Sequence, residues 1–307
     1  MSRLYILVVI ISFSLNVHTQ SAEDLNRRGL RNYQHGDYDA AIADFSKAID
    51  AVTRLAKQNS VPANGFAPGQ ELFEAAATSV RAVDPRASDV LVNRGNAFLA
   101  KGDLGRAIED YNGALAIRPT FAVGYVCRGS ALLIKNDLPR AIADYEKAIK
   151  LDPQYAKAYI GRGMARLDSG DTRAAFEDFD FAVRLEPKNA NAVYQRGDAR
   201  RLVGDFAAAL ADFELAIRLD PAYPDSYLGR GTIRLRDKDL NGAIADFTTA
   251  LTLDPRLAQA YRNRGIAYYV QGKTAEAQRD FARALILAPY LRAEIEANVK
   301  MIESWKK

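Results

Sequence analysis

Arginine and aspartate recur in this 307-residue chain at a fixed separation of 16 residues. The pairs are Arg28 and Asp44, Arg94 and Asp110, Arg128 and Asp144, Arg162 and Asp178, Arg196 and Asp212, Arg230 and Asp246, and Arg264 and Asp280. From Arg94 onward each arginine follows the last by 34 residues. A planar guanidinium meets a carboxylate through two parallel hydrogen bonds, so these residues predict one charge-assisted link per repeat. Left unpaired, the same arginines would form a row that binds polyanions; the equal number of acids at a fixed offset favours pairing. A second ladder is shorter. Arg166, Arg200 and Arg234 each stand four residues after one of these arginines, and Glu146, Asp180 and Glu214 stand in the copies just before them. That offset predicts pairing from one copy to the next. The alternative is an anion-binding stripe of Arg166, Arg200, Arg201 and Arg234, because arginine clusters recognise carboxylate and phosphate groups.

Groups for acid–base or nucleophilic chemistry are scarce. The chain has two His, one Cys and one Trp. One thiol cannot close a disulfide within its own chain, and the soft ligands are too few for a zinc site of the usual kind. His35 is the only histidine beyond the first twenty residues, and it stands beside the turn glycine Gly36. No glycine-rich phosphate loop of the usual spacing appears. The expectation is a protein that is not an enzyme and needs no cofactor or metal. Forty-two Lys plus Arg against 38 Asp plus Glu leave a charge of +4, with the two signs interspersed, so nucleic acid is not expected as a partner. A composition 49% hydrophobic and 26% charged excludes disorder for most of the chain.

The elements that must position the ladders follow from the same period. With each Arg placed at position 7, position 8 is Gly in all seven copies, from Gly29 to Gly265. Position 20 is always Ala, position 24 is always aromatic (Phe45, Tyr111, Tyr145, Phe179, Phe213, Phe247, Phe281), and position 27 is always Ala. Position 15 is Gly in five copies, Asn136 in a sixth and Lys238 in the remaining one; position 16 is Asp in six. A residue suited to left-handed backbone followed by an N-cap marks the turn between two helices. Pro at position 32 in the last six copies stops the second helix. Small residues at 8 and 20 let two helices approach closely, and the aromatic at 24 fills the space beside them.

This pattern resembles the tetratricopeptide repeat (TPR), in an exported bacterial form. The resemblance implies an all-α TPR solenoid, a right-handed superhelix of antiparallel helix pairs, with a C-terminal capping helix. The expected organisation is a signal peptide over 1–21, a first TPR over 22–55, and a degenerate repeat over 56–87 whose first half is a loop at 60–70. Six further TPRs then cover 88–121, 122–155, 156–189, 190–223, 224–257 and 258–291, and the capping helix covers 292–307. In that last helix Leu291, Ile295, Val299, Ile302 and Trp305 share one face. The chain departs from the family at position 7, often Leu elsewhere, and at position 11, often large.

The resemblance also implies a concave groove lined by positions 2, 5, 9, 12 and 13 of the first helices. The candidate partner-binding residues are Val92, Asn96, Leu99, Val126, Leu133, Ile160, Met164, Leu167, Tyr194, Asp198, Leu228, Leu235 and Tyr269. An apolar strip edged by polar groups suits an extended or helical segment of a protein partner; the other reading is that positions 5 and 12 half-bury between neighbouring first helices. The expected function is a non-catalytic protein–protein interaction scaffold, and the alternative is a carrier of an anionic polymer or ligand on the arginine stripe. A carboxylate clamp for chaperone C-termini is not expected, since Asn96 is present but Val92 stands where that clamp needs Lys. Cys127, at position 6, reads as a small buried hydrophobe.

Leu4–Val17 is a charge-free, mostly apolar run preceded by Arg3 and followed by His18-Thr19-Gln20-Ser21-Ala22. It is short for a membrane span and matches the core of a secretory signal. Export to the periplasm or beyond is expected, with a membrane link only if the segment stays uncleaved, as an outward-facing anchor.

Overall fold

The computed structural model describes residues 21–59 and 86–305. The signal segment up to residue 20 and most of the degenerate repeat, including its expected loop at 60–70, lie outside the described residues, as does the Trp305 side chain. The chain divides into two compact units, 1–165 and 166–307. Among the described residues every regular element is helical. The first unit contains α1 (residues 21–34), α2 (Tyr38–Asn59), α3 (Arg86–Ala100), α4 (Leu104–Ile117), α5 (Ala122–Ile134), α6 (Leu138–Leu151) and most of α7 (Ala156–Asp168). The second contains α8 (Thr172–Leu185), α9 (Ala190–Leu202), α10 (Phe206–Leu219), α11 (Pro224–Arg236), α12 (Leu240–Leu253), α13 (Ala258–Val270), α14 (Thr274–Leu287) and α15 (Arg292–Trp305). Each unit is a stack of antiparallel helix pairs, and a short 3₁₀ turn at Pro289–Leu291 introduces α15.

The turn inside each pair follows from its residue types. Position 15 takes positive φ at Gly36, Gly102, Gly170, Gly204 and Gly272, and also at Asn136 (62°) and Lys238 (66°). This conformation lets the next two N–H groups fold back on the helix just ended: Gly102 donates to the Leu99 carbonyl and Asp103 to the Phe98 carbonyl, both at 2.9 Å. Lys238 and Asp239 make the same bonds to Leu235 and Arg234. The aspartate after the turn then caps the second helix. Asp37, Asp103, Asp171, Asp205 and Asp239 each accept a backbone N–H from the residue three further on. Asp137 makes no such bond and pairs with Arg140 instead.

The core of each unit is built of aromatic rings in small-residue sockets. The alanines at positions 20 and 27 are fully buried in all seven copies, and so are the rings of Phe45, Tyr111, Phe179, Phe213 and Phe247. Burying such a ring contributes about 1.5–3 kcal/mol. Glycine at position 8 is what allows it. A Cβ added at Gly29, Gly95, Gly231 or Gly265 would stand 2.6–2.7 Å from the ring in its own pair. Where the following repeat also has Gly at position 6, that glycine covers the ring's far side: a Cβ at Gly229 would lie 2.6 Å from Phe213. Leu291 of the 3₁₀ turn and Ile295 and Ile302 of the last helix close the stack, all buried.

Candidate partner-binding site

The first arginine ladder is a set of ion pairs inside the helix pairs. In six copies the guanidinium donates from Nε and Nη2 to the two oxygens of the aspartate 16 residues later, at 2.5–3.0 Å. The aspartates lie between 3% and 6% exposed, so no solvent replaces the partner if it is removed. The third guanidinium nitrogen, Nη1, turns toward the preceding repeat. It donates to Ser46 from Arg94, to Asn112 from Arg128, to Asp180 from Arg196 and to Thr248 from Arg264. All four acceptors are at position 25. Each such arginine is therefore a node that joins its own two helices and fastens them to the previous pair.

The second ladder differs from its expected pairing. Arg200 donates to Asp212 at 2.6 Å and Arg234 to Asp246 at 2.8 Å, inside their own repeats. Arg166 likewise donates to Asp178. The acid at position 25 does reach into the next repeat, but it meets the arginine at position 7 instead, as Asp180 does with Arg196. The reason is geometric: position 11 lies one helical turn beyond position 7 and leans on the same buried carboxylate. Arg201, the fourth residue of the expected stripe, pairs with Asp198 at 2.7 Å.

The candidate groove residues divide by burial. In the first unit Val92, Val126 and Ile160 are buried, Leu99 and Leu133 are half-buried, and Met164 is exposed. In the second Leu228 is buried, while Leu167, Tyr194, Leu235 and Tyr269 are half-buried. Position 5 is thus mainly core between first helices. Two position-9 residues are occupied by a neighbour: Asn96 accepts the Tyr111 hydroxyl at 2.8 Å, and Ser130 shares a hydrogen bond with the Tyr145 hydroxyl. Burial pushes the Tyr145 phenol up to about 12, so it stays a neutral donor or acceptor. Tyr194 stacks edge-on against Tyr223, and Tyr269 donates to Glu303 of the last helix.

The second unit also contains a cleft of about 560 Å³ between α11, α13 and α15. Leu235, Ile266, Val270 and Met301 give it apolar walls, and Thr232, Asn263 and Asn298 supply polar groups. Arg236, Lys238 and Arg262 line it as well, and among the described residues no carboxylate does. Of the candidate residues named from the sequence Leu235 lies here, and Thr232, Arg236, Arg262, Ile266 and Val270 stand at the expected groove positions 9, 13, 5, 9 and 13. The contribution of α15 was not legible beforehand, since its sequence reads as a plain amphipathic cap.

Residues 95–133, 129–170 and 231–272 match a TPR-repeat profile, and 160–226 and 258–291 match two other tetratricopeptide-repeat profiles. The chain belongs to the tetratricopeptide-repeat family. Its fold is shared with a TPR protein from Parabacteroides merdae, at 21% identity over 92% of this chain and 99% of that one, with a TM-score of 0.62. PilF of Pseudomonas aeruginosa is similar at 17% identity over 71% of this chain and 97% of that one, with a TM-score of 0.61. The Cut9–Hcn1 assembly of the anaphase-promoting complex matches at 14% identity and a TM-score of 0.66, over 86% of this chain and 55% of that one. A search of curated proteins returned no match. The TPR architecture is that of non-catalytic scaffolds for proteins and peptides. Among the described residues of this TPR chain no group of three His, Cys, Asp or Glu is placed to hold a metal, and no helix is long and apolar enough to cross a membrane.

Proposed function

We propose that this TPR protein is a scaffold that holds a segment of a protein partner on the face formed by the first helices of its second unit. The cleft between α11, α13 and α15 carries this reading, because it is concave, apolar in its walls and open to solvent at Met301, which is 45% exposed. Ion pairs that lock each repeat keep the walls preorganised, so little entropy is lost on the scaffold's side when a partner binds. An anion carrier built on Arg166, Arg200, Arg201 and Arg234 is less well supported, since each donates to an aspartate of its own repeat. The apolar run Leu4–Val17 supports export, and sequencing the mature N-terminus tests it by finding cleavage near Ser21 or an intact Met1.

Affinity capture tests the scaffold reading. Wild-type protein and a Met301→Glu variant, matched in helicity, are exposed to an extract of the compartment that contains the protein. A partner retained by the wild type and lost by the variant places binding at this face; equal retention moves it elsewhere.

A further inference from the structure

Lys238 breaks the rule of its position. The other six turns place Gly or Asn at positive φ, where a Cβ is absent or locally tolerated, and this one places a lysine there at 66°. A side chain in left-handed backbone costs folding stability, and it persists where the surroundings hold it. Lys238 lines the cleft described above and has no ion-pair partner among the described residues. The other two cations of the lining are engaged. Arg262 pairs with Glu294 of α15. Arg236 pairs with Asp237 and stacks 3.6 Å from the centre of the Phe206 ring. The carboxylates of these pairs are thus turned to arginines, and among the described residues of the lining the cation left to a ligand is Lys238.

We infer that the cleft takes an acidic peptide segment, with apolar side chains against Leu235, Ile266 and Met301 and an Asp or Glu carboxylate paired with Lys238. This rests on the scaffold reading and adds the chemistry of the partner. Charge complementarity decides against a basic segment, since the cation of the lining without a carboxylate partner is Lys238 and no acid lines the cleft among the described residues. Depth and apolar walls decide against a flat, purely electrostatic contact. Lys238 is the specificity residue: it adds little to the hold on apolar side chains and selects the sign of the charge beside them.

The experiment is selection of random twelve-residue peptides displayed on phage against the full-length mature protein, followed by fluorescence titration of the enriched peptides. The expected result is enrichment of peptides that combine two or more apolar residues with adjacent Asp or Glu. Their affinity falls about five-fold in Lys238→Gly and is kept in Lys238→Arg, as removal of one partly exposed charge pair predicts. It also weakens between 50 and 500 mM salt. Lys238→Gly melts at a higher temperature than the wild type, because glycine accepts that backbone without strain, so lost affinity cannot be ascribed to lost fold. Met301→Glu, an exposed change on α15, abolishes binding of the same peptides. Enriched peptides that are basic or lack acids overturn the inference, and so does equal affinity of wild type and Lys238→Gly. Peptides that bind equally to Met301→Glu overturn it while leaving the scaffold reading in place at another face. No enrichment at all overturns both.

Discussion

Arg196 grips Asp212 by two parallel hydrogen bonds, Nε to Oδ2 at 3.0 Å and Nη2 to Oδ1 at 2.7 Å. Arg200 adds a third donor to the same carboxylate, at 2.6 Å. Asp212→Ala leaves Arg200 without its carboxylate and Arg196 with Asp180 alone, in a half-buried site, and is expected to cost about 3–5 kcal/mol. Replacing Arg196, Arg200 and Asp212 together by Met, Leu and Leu recovers much of that loss, because no charge is then left without a counter-charge. Urea unfolding of the two variants checks this. A loss below about 1 kcal/mol for Asp212→Ala would show that solvent screens the pair.

Glycines in this fold are of two kinds. A Cβ at Gly231 would stand 2.7 Å from the Phe247 ring, whereas one at Gly113 meets only Leu91 at 3.4 Å. Gly231→Ala is expected to destabilise by about 1–3 kcal/mol through overpacking. Gly113→Ala, in the middle of α4, is expected to stabilise by about 0.5–1 kcal/mol through helix propensity. Thermal melts of the pair distinguish the two, and two changes of the same sign would contradict the packing described.

Asp225 predicts a pH dependence. Burial, with Asp254 and Asp198 nearby, holds its carboxyl above the ordinary carboxylate range. The folded state therefore binds this proton more tightly than the unfolded chain. Its contribution favours folding at low pH and is lost as pH rises from the unfolded value, near 3.9, through the raised folded one. The start of α11 favours a negative charge there, but burial is the larger effect. Asp225→Asn should be more stable than wild type at pH 7, with the gap closing toward pH 4. A gap that widens on acidification would reverse the assignment.

Cys127 is expected to be inert. Burial pushes its thiol up to about 11, so little thiolate exists at pH 8. Alkylation by iodoacetamide at that pH should be about a hundred-fold slower in the native protein than in urea. Comparable rates would mean that the thiol is open to solvent.

The helix pairs are written in the sequence because a 34-residue step repeats small, aromatic, turn and cap residues that each have one structural use. Gly102 and Asp103 announce a turn and a cap by residue type alone. Side-chain partners are less legible, since several lie within one guanidinium's reach. The offset in sequence assigns Arg200 to Asp180, and the close approach of the helix pair brings it to Asp212 instead. Asn96 reads as a groove residue because its position faces inward, yet it accepts from Tyr111. A signal for this was present: Asn96 and Ser130 accompany Tyr111 and Tyr145, where the other copies have Phe at position 24. The cleft was least legible of all, because it needs α15 to lie beside α11 and α13, and no local pattern states that.

The ion pairs have a consequence for how such a chain is inherited. Arg230, Arg234 and Asp246 fall within one 34-residue stretch, so a deletion of 224–257 removes both cations and their carboxylate together. The new junction would bring Glu214 to the position that Thr248 now holds beside Arg264, with an acceptor still in place. Duplication works in the same way: the added copy arrives with its own counter-charges. Loss or gain of a whole repeat therefore leaves no buried charge stranded, and the length of the stack is free to vary over generations where single residues within it are not.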